Sequence, residues 1–263
     1  MNNTFVSIHP KALIGQNVII EPFTTIHADV VIGDNTWIGS NVTIMDGARI
    51  GNNCRIFPGA VISAIPQDLK FNGEVTTAEI GNNVIIRECV TINRGTSDRM
   101  KTVVGSNTLL MAYTHIAHDC MIGEHVIIAN AGTLGGHVVI QDYARIGGVT
   151  AIHQFVNIGR HVMVSGGSLV RKDIPPFVKA GREPLAYVGV NSIGLRRAGF
   201  SSEAINGVQE VYRKIFMSGL NTSKALLAVE AELAPSPERD EIILFIQGAS
   251  RGIMRGYGAM SEE

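Results

Sequence analysis

The chain has 263 residues, and its 22 Lys and Arg against 23 Asp and Glu give a formal net charge of −1 at pH 7. This balance argues against general nucleic-acid binding. No apolar stretch reaches the ~20 residues that a membrane-spanning helix needs, and the start, MNNTFVSIHP, lacks the pattern of a secretory signal. We therefore expect a soluble cytoplasmic protein without a membrane span.

Aliphatic residues recur every six positions along most of the chain. A period of six is neither that of a helix nor that of a simple strand. It fits a short strand followed by a corner, so that three repeats make a triangular coil of 18 residues with the aliphatic side chains inside. The pattern predicts a parallel β-helix whose coils stack at about 4.8 Å. The phase runs through Ile8, Ile14, Ile20, Ile26, Ile32, Ile38, Ile44, Ile50, Ile56, Ile62, Ile80, Ile86 and Ile92, and then from Val104 to Val170.

A small or β-branched residue lies four positions after most of these aliphatic residues, in a second inward slot. Cys54 and Cys120 occupy two such slots, so we expect both to be buried and Cys120 not to act as a nucleophile. With Cys89 they are too few for a disulfide framework and wrongly spaced for a zinc site. The outward positions include a set of large apolar residues, which predicts a face for self-association. These residues are Trp37, Leu109, Ile127 and Met163.

Two segments interrupt the repeat, and a different pattern follows it. Residues 65–78 and 93–102 lack the inward aliphatic residues and read as loops leaving the coil, a common location for functional residues. The repeat stops at residues 173–176, which divides the chain into a β-helix at 1–175 and a helical domain at 176–263. Helical spacing then predicts one helix capped by Ser201, a second after Thr222 and a third opening at Ser236.

Histidines gather along one edge of the predicted coil. Residues 18 apart lie above one another, so His118 lies beneath Gly136, and Gly136 lies beneath Gln154. The neighbouring residues His137 and His153 extend this polar edge, and His115 lies in the strand before it. His125 and His161 fall on ordinary corner positions, where we expect solvated side chains.

Such a cluster has three common uses: a metal site, a structural or solvated role, and general base catalysis. His115 and His118 are three positions apart, one in a strand and one at a corner, so their side chains should diverge, and we expect no metal. His118 with the adjacent Asp119 supplies a base and a carboxylate to orient it. Gly136 offers a backbone N–H for an oxyanion. This polar edge holds no activated Ser or Cys, which favours direct attack of a substrate hydroxyl or amine on an acyl donor.

Six motifs follow one another along the chain: QDLKFNGE (67–74), HIAHDC (115–120), LGGH (134–137), IHQF (152–155), DIPPFV (173–178) and VNSIGLRRAGF (190–200). Together they resemble the UDP-N-acetylglucosamine O-acyltransferase family. The resemblance spans the whole chain and implies a left-handed β-helix with a C-terminal helical domain. It also implies transfer of an (R)-3-hydroxyacyl chain from acyl carrier protein to the sugar's 3-hydroxyl, the first step of lipid A synthesis, in a homotrimer with sites between subunits. No cofactor is implied beyond the donor's phosphopantetheine.

The resemblance also implies roles for individual residues. His118 would be the general base, Asp119 its support and Gly136 the donor to the thioester oxyanion. Gly166 would gauge the acyl chain, and its small size implies a long one. The residues implied in binding the nucleotide sugar and the acyl chain are Asp68, Lys70, His115, His137, His153, Gln154, Asn191 and Arg197.

The chain departs from the family pattern at Asn93, Ile193 and Ala198, which puts the nucleotide contacts of the tail in question. Residues 171–219 carry eight Lys and Arg against four Asp and Glu, a basic excess that suits an acidic partner such as acyl carrier protein. Three alternatives stay open: the later N-acyltransferase of the same pathway, a zinc carbonic anhydrase on this scaffold, and a non-catalytic trimeric scaffold. The first carries an extra N-terminal domain, whereas this repeat begins by Ile8.

Overall fold

The computed structural model describes residues 5–256. Short strands form three sheets, and consecutive strands along the chain fall in successive sheets, so the backbone winds as a triangular coil. Ser7 pairs with Thr25 and His115 pairs with Thr133, both 18 residues on and both in parallel. The six-residue period of the sequence therefore becomes one side of a three-sided turn.

Each of the three sheets takes every third strand of the coil. The first sheet contains Ser7–Ile8, Thr25–Ile26, Thr43–Ile44, Val61–Ala64, Thr91–Asn93, His115–Ile116, Thr133–Leu134, Ala151–Ile152 and Leu169–Val170. The second contains Leu13–Ile14, Val30–Ile32, Ala48–Ile50, Thr77–Ile80, Lys101–Val104, Met121–Ile122, Val139–Ile140 and Asn157–Ile158. The third contains Ile19–Ile20, Trp37–Ile38, Arg55–Ile56, Ile85–Ile86, Leu109–Leu110, Ile127–Ile128, Arg145–Ile146, Met163–Val164, Val178–Gly181 and Ala186–Val190.

The inward aliphatic side chains make one continuous core. Ile38 and Ile116 are fully buried, and removing each such side chain from water stabilises the fold by about 1.5–3 kcal/mol. Ile8, in the first coil that the structure describes, remains 41% exposed. Cys54 and Cys120 are buried in the small slots as expected, and burial raises the pKa of the Cys120 thiol to about 12.

Both interruptions of the repeat are loops inserted at the corner between the first and second sheets. They run over residues 65–76 and 94–100, between the flanking strands. Thr91 pairs with Val61, 30 positions earlier, and His115 pairs with Thr91, 24 positions earlier. Each insertion is therefore a whole number of hexapeptides, which is why the aliphatic phase returns unchanged after it.

The chain becomes helical near residue 192, after more β-structure than the sequence indicated. Val178–Gly181 pairs in parallel with Met163–Val164 and in antiparallel with Ala186–Val190, so the third sheet continues across the predicted division at 175/176. This division stays a prediction, and its outer ends, residues 1–4 and 257–263, lie outside the described residues. Four helices follow in the part that is described: Ser192–Arg197, Ser202–Met217, Thr222–Glu232 and Pro237–Gln247.

The helix ends follow the capping residues of the sequence. Ser201 and Ser236 are N-caps as predicted, and the helix expected after Thr222 begins at Thr222 itself, with Asn221 as its N-cap. The short helix at 192–197 was not predicted. None of the helices within residues 5–256 is long and apolar enough to cross a membrane.

The helices cover the last coils of the β-helix. The Tyr212 hydroxyl donates a 2.5 Å hydrogen bond to the Pro176 carbonyl, and both atoms are buried. Arg160 on the coil pairs with Glu241 on the last helix at 2.7 Å. The outward apolar residues named above all lie on the third sheet, where Met163 is 41% exposed, and a self-association face there stays a prediction.

Candidate active site

One corner of the coil, between the first and second sheets, collects the histidines; we call it the histidine corner and define it by His118, Asp119, Gly136, His137 and Phe155. The backbone stacks as the coil arithmetic predicts, because His137 N–H donates to the His118 carbonyl and Phe155 N–H donates to the Gly136 carbonyl, each at 3.0 Å. Asp119, His137 and Phe155 all have left-handed φ angles of 59° to 65°. Such angles strain non-glycine residues by about 1–2 kcal/mol, so neighbouring contacts must hold this corner.

His118 and Asp119, adjacent in sequence, are also in contact through their side chains. The His118 Nδ1 atom lies 2.8 Å from Asp119 Oδ2. Asp119 is fully buried, while the His118 side chain is 14% exposed. A hydrogen bond therefore joins the carboxylate to the imidazole, as orientation of the base requires.

The Asp119 carboxylate receives three further hydrogen bonds, all from the loop at 94–100. Oδ1 accepts from the backbone N–H groups of Thr96 at 3.0 Å and Arg99 at 3.2 Å. Oδ2 accepts from the Thr96 hydroxyl at 2.6 Å. Together with His118, these donors fill about four acceptor positions, the whole capacity of a carboxylate.

Those hydrogen bonds fix the charge of Asp119 and the tautomer of His118. Burial acts to raise the pKa of the Asp119 carboxyl, but the hydrogen bonds from Thr96 and His118 outweigh it and hold this pKa below its usual range. An ionised carboxylate can only accept, so His118 must donate from Nδ1. The lone pair of the imidazole is consequently on Nε2, the atom that a general base needs free.

Gly136 closes the other side of the His118 ring. A Cβ atom at residue 136 would lie 2.6 Å from Cε1 and 2.7 Å from Nε2 of His118. Only glycine permits this approach of backbone to ring. Within residues 5–256 the Gly136 N–H has no hydrogen-bond acceptor, so it is free to donate to a ligand.

His137 lies edge-on to His118 and between two carboxylates. Its ring stacks on Phe155 at 4.5 Å between centroids and meets the His118 ring at right angles. Asp98 Oδ2 lies 3.1 Å from Nδ1, without hydrogen-bond alignment, and Asp119 Oδ2 lies 3.7 Å from Nε2. Burial lowers the pKa of His137, and the Asp119 charge opposes this effect only in part.

The remaining histidines of the predicted polar edge, His115 and His153, lie near the histidine corner. His115 Nδ1 lies 2.7 Å from the Thr91 hydroxyl, and burial with the nearby His118 lowers the pKa of His115. His153 and Gln154 are exposed two coils above His118, where His153 Nδ1 lies 3.1 Å from the Gln154 carbonyl. His115, His153 and Gln154 lie along the same edge of the coil as His118, as the coil spacing predicts.

Four other predicted residues do not meet His118 within one chain. Asp68 and Lys70 lie in the loop at 65–76, which leaves the same corner lower in the coil; Asp68 accepts a hydrogen bond from the Lys70 backbone. Asn191 caps the helix Ser192–Arg197 and donates to the His161 carbonyl at 2.9 Å. Arg197 is exposed at the end of that helix.

Gly166 lies at yet another corner, between the third and first sheets. It is exposed, and a Cβ atom there would lie 3.1 Å from the Gly148 carbonyl oxygen one coil below. The candidate residues are thus distributed over different edges of one chain.

The residues that sequence reasoning missed are Thr96, Asp98 and Arg99. They lie in a loop without hydrophobic period, and two of the hydrogen bonds to Asp119 come from backbone N–H groups, which no side-chain pattern reveals. The position of this loop, inserted at the histidine corner one coil below His118, was the available signal.

A second column of rings occupies the corner between the second and third sheets; we call it the stacked corner and define it by His125, Tyr143, His161 and Phe177. The ring of Tyr143 stacks on both histidines at 4.8 Å. The expectation of a solvated His161 was wrong: it is 6% exposed, and burial lowers its pKa to about 4. Phe200 from the helical region packs edge-on against its ring, which is how the tertiary fold removes it from water.

His118, Asp119 and His137 are also a group whose ligand atoms lie within 4.8 Å of one another. A metal ion would need lone pairs, and each acceptor position of Asp119 is already used by a hydrogen bond. The chemistry of this donor set therefore suits proton transfer better than metal binding.

The repeats and the site define a class of protein. Residues 29–64 and 101–136 match the family described as bacterial transferase hexapeptide (six repeats), so the coil is that of a hexapeptide-repeat transferase. Residues 173–254 match the family described as UDP-N-acetylglucosamine O-acyltransferase, domain 2.

Relatives of known name cover nearly the whole chain. The acyl-[acyl-carrier-protein]–UDP-N-acetylglucosamine O-acyltransferase of Trichlorobacter lovleyi is 51% identical over 95% of this chain and 97% of its own length. The enzyme of the same name from Chlorobaculum parvum is 54% identical over 94% and 96%. The chain belongs to this UDP-N-acetylglucosamine O-acyltransferase family.

A solved structure agrees with this assignment. The UDP-N-acetylglucosamine acyltransferase of Bacteroides fragilis superposes with a TM-score of 0.95 at 54% identity, over 97% of this chain and all of that one. The predicted fold class, a left-handed parallel β-helix of hexapeptide repeats with a C-terminal helical region, is confirmed, and so is the family resemblance.

Proposed function

We propose that this chain transfers an (R)-3-hydroxyacyl group from acyl carrier protein to the 3-hydroxyl of UDP-N-acetylglucosamine, the first step of lipid A biosynthesis. The observation that carries the proposal is the hydrogen bond between His118 and Asp119, whose buried carboxylate has every acceptor position filled. Gly136, which packs against the same imidazole, has an N–H without an acceptor in the described residues. The relatives from Trichlorobacter lovleyi and Chlorobaculum parvum carry the name of this acyltransferase.

His118 acts as the general base. Its Nε2 lone pair accepts the proton of the sugar hydroxyl as the oxygen attacks the thioester carbonyl, and Asp119 stabilises the resulting imidazolium through Nδ1. Because Asp119 is already fully hydrogen-bonded, it stays ionised and takes no proton itself.

Gly136 stabilises the charge that develops on the carbonyl oxygen. Its N–H is unpaired within the described residues, and the residue packs closely against the His118 ring, so an oxyanion bound by this N–H gains a preformed donor without reorganisation. Collapse of the tetrahedral intermediate breaks the carbon–sulfur bond, and the imidazolium returns its proton to the departing thiolate. No cofactor beyond the donor's phosphopantetheine enters this balance.

The substrate contacts need more than one copy of the chain. His115, His137, His153 and Gln154 surround His118, whereas Asn191 lies beside the stacked corner and Gly166 on the third edge. A homotrimer with its sites in the clefts between copies brings such edges together. Asp68 and Lys70, in a loop whose Leu69 is fully exposed, then reach the sugar nucleotide of a neighbouring site, and Arg197 reaches its phosphates.

Acyl carrier protein and the cellular location complete the proposal. The basic excess at 171–219 lies in the last coil and the first helices, which gives an acidic carrier protein a docking surface next to the site. We place the reaction in the cytoplasm, where carrier-bound acyl chains and nucleotide sugars are both available.

The experiment that tests this function is incubation of the protein with UDP-N-acetylglucosamine and a panel of (R)-3-hydroxyacyl carrier proteins, with product masses read out. We expect an O-acylated nucleotide sugar, formed fastest with long chains because Gly166 leaves room for them. The 3-amino analogue of the sugar and UDP-3-O-acyl-glucosamine serve as competing acceptors. No acylated product from any donor would remove the proposal.

A metal-dependent hydration is the rival that the His118, Asp119 and His137 group suggests. Metal analysis of the active preparation, and the assay repeated in a chelator, separate the two. Full acyl transfer without bound metal supports the base, whereas stoichiometric zinc and activity lost in the chelator support the rival.

A further inference from the structure

The inserted loop at 94–100 holds Asp119 through its backbone as well as its carboxylate. Besides the hydrogen bonds to the carboxylate, the Arg99 side chain donates to the Asp119 carbonyl at 3.0 Å. Thr102, two residues after the loop, accepts from the Asp119 backbone N–H at 2.8 Å. Asp119 has a left-handed φ of 59°, so these contacts offset local strain as well as charge.

The loop is itself rigidly anchored to the coil. A Cβ atom at Gly95 would lie 2.2 Å from the Lys101 backbone nitrogen, so glycine is needed for the chain to double back. The Gly95 carbonyl accepts from the Thr76 hydroxyl at 2.6 Å, and the Thr96 carbonyl accepts from the Met100 N–H at 2.8 Å. The loop therefore presents its donors to Asp119 without freedom to drift.

Thr96 provides the only hydroxyl among the donors to the Asp119 carboxylate in the described chain. Its oxygen accepts from the Asp98 N–H at 3.3 Å and donates its single hydrogen to Asp119 Oδ2 at 2.6 Å. Asp119 Oδ2 is also the oxygen that accepts from His118 Nδ1. The side chain is 7% exposed, so the bond is shielded from water and from salt.

We propose that Thr96 is a positioning residue of the acyl transfer: its hydroxyl holds Asp119 Oδ2 in line with His118 Nδ1 and so keeps the Nε2 lone pair of His118 free. Thr96 touches neither the imidazole nor the space beside Nε2, and it acts only through the carboxylate. Without its hydroxyl, Oδ2 is left with one donor, the carboxylate can rotate, and the imidazole loses its fixed orientation.

His137 and Arg99 also face Asp119, and Asp98 of the loop faces His137. A substitution that removes the Thr96 hydroxyl leaves these side chains in place, although the Asp98 N–H loses its 3.3 Å acceptor.

The test is Thr96→Val, which keeps the shape of the side chain and removes the hydroxyl, with Thr96→Ser as the conservative rescue. We expect kcat to fall about tenfold with KM within a factor of about 2, because a misaligned base weakens the transition state more than it weakens substrate binding. Thr96→Ser should restore kcat.

Thr108→Val is the matched control. Thr108 is also buried, and its hydroxyl donates to the Gly123 carbonyl at 3.1 Å at the corner between the second and third sheets. Its replacement removes a comparable hydrogen bond at another corner, so it should lower the melting temperature without lowering kcat. Thr96→Ala, with a smaller side chain, takes the place of Thr96→Val if that variant does not fold.

The kinetic readouts rest on the proposed acyl transfer, so a second readout is independent of activity. In protein labelled with ¹⁵N-histidine, with the His118 signals assigned from His118→Ala, the wild type should show Nδ1–H and an unprotonated Nε2. Loss of the Thr96 hydroxyl should mix the two tautomers of His118. An unchanged tautomer in Thr96→Val would overturn the proposal, even if wild-type acyl transfer were absent.

Discussion

The histidine corner and the stacked corner are built alike, yet they end in different chemistry. Each is a column of rings, one per coil, carried by corner residues with left-handed φ angles. His137 stacks on Phe155 in the first, and His161 stacks on Tyr143 in the second. At the histidine corner a buried carboxylate bonds the imidazole. At the stacked corner the rings contact one another, and His161 is neutralised by burial.

The difference comes from what is inserted, because the repeat is the same. Both loops of the coil leave from the histidine corner, and the one at 94–100 brings the donors that keep Asp119 ionised. No loop interrupts the stacked corner within the described residues, so its rings pack directly on one another. A regular solenoid thus acquires a reactive position where one hexapeptide of extra chain folds back onto it.

Removing one histidine from each corner is the strongest test of whether the two corners differ in function. We expect His118→Ala to lower kcat by roughly 10²–10⁴-fold or more, the usual contribution of a general base, with the oligomer intact. His125→Ala, the matched change at the stacked corner, should leave kcat within a factor of about 2, since the ring touches no part of the proposed site. Steady-state kinetics and light scattering on both variants check this, and equal losses would show that the two corners do not differ in function.

A substitution at Gly136 tests the close approach of backbone to imidazole. In Gly136→Ala the new Cβ would lie 2.6–2.7 Å from two atoms of the His118 ring, so the ring must move. Misplacement of a catalytic group by about 1 Å can cost about 10²-fold, and we expect a kcat loss of that order with a small change in melting temperature. Wild-type kcat in this variant would mean that neither the ring position nor the Gly136 N–H matters.

Acid should destabilise the fold by protonating His161 at the stacked corner. The pKa of His161 in the fold, about 4, is below its ordinary 6.5, so the folded state favours the neutral ring. The stability is fully present above pH 6.5 and is lost as the pH falls towards 4, by an amount of the order of 3 kcal/mol.

His161→Phe keeps the stacking and removes this titration, since Phe occupies the same left-handed corner position at residue 177. We expect the melting temperature of the variant to fall less than that of the wild type between about pH 7 and pH 4.5, the range in which an unfolded histidine takes up its proton. Parallel curves for the two proteins would show that His161 does not titrate in this range. This is the smallest of the expected effects, and it leaves kcat at neutral pH unchanged.

Much of the fold was predictable because periodicity is a local property of the chain. Ile116 and Cys120 could be placed in the core from the spacing alone, and the same spacing put His118 beneath Gly136. The N-caps Ser201 and Ser236 were readable for a similar reason, since a cap depends on residues within one turn. The strand Val178–Gly181 was missed because its sequence follows prolines and leaves the period.

The site was predictable only in part, because its decisive contacts are not periodic. Sequence alone determined that His118, Asp119 and Gly136 share one edge of a coil, since a strict repeat fixes which residues stack. Only the tertiary structure decided that Asp119 bonds His118, through Thr96 and Arg99 of an inserted loop, and that His161 is buried, through Phe200 of the helical region. Those partners come from irregular segments, whose positions depend on packing against the finished coil.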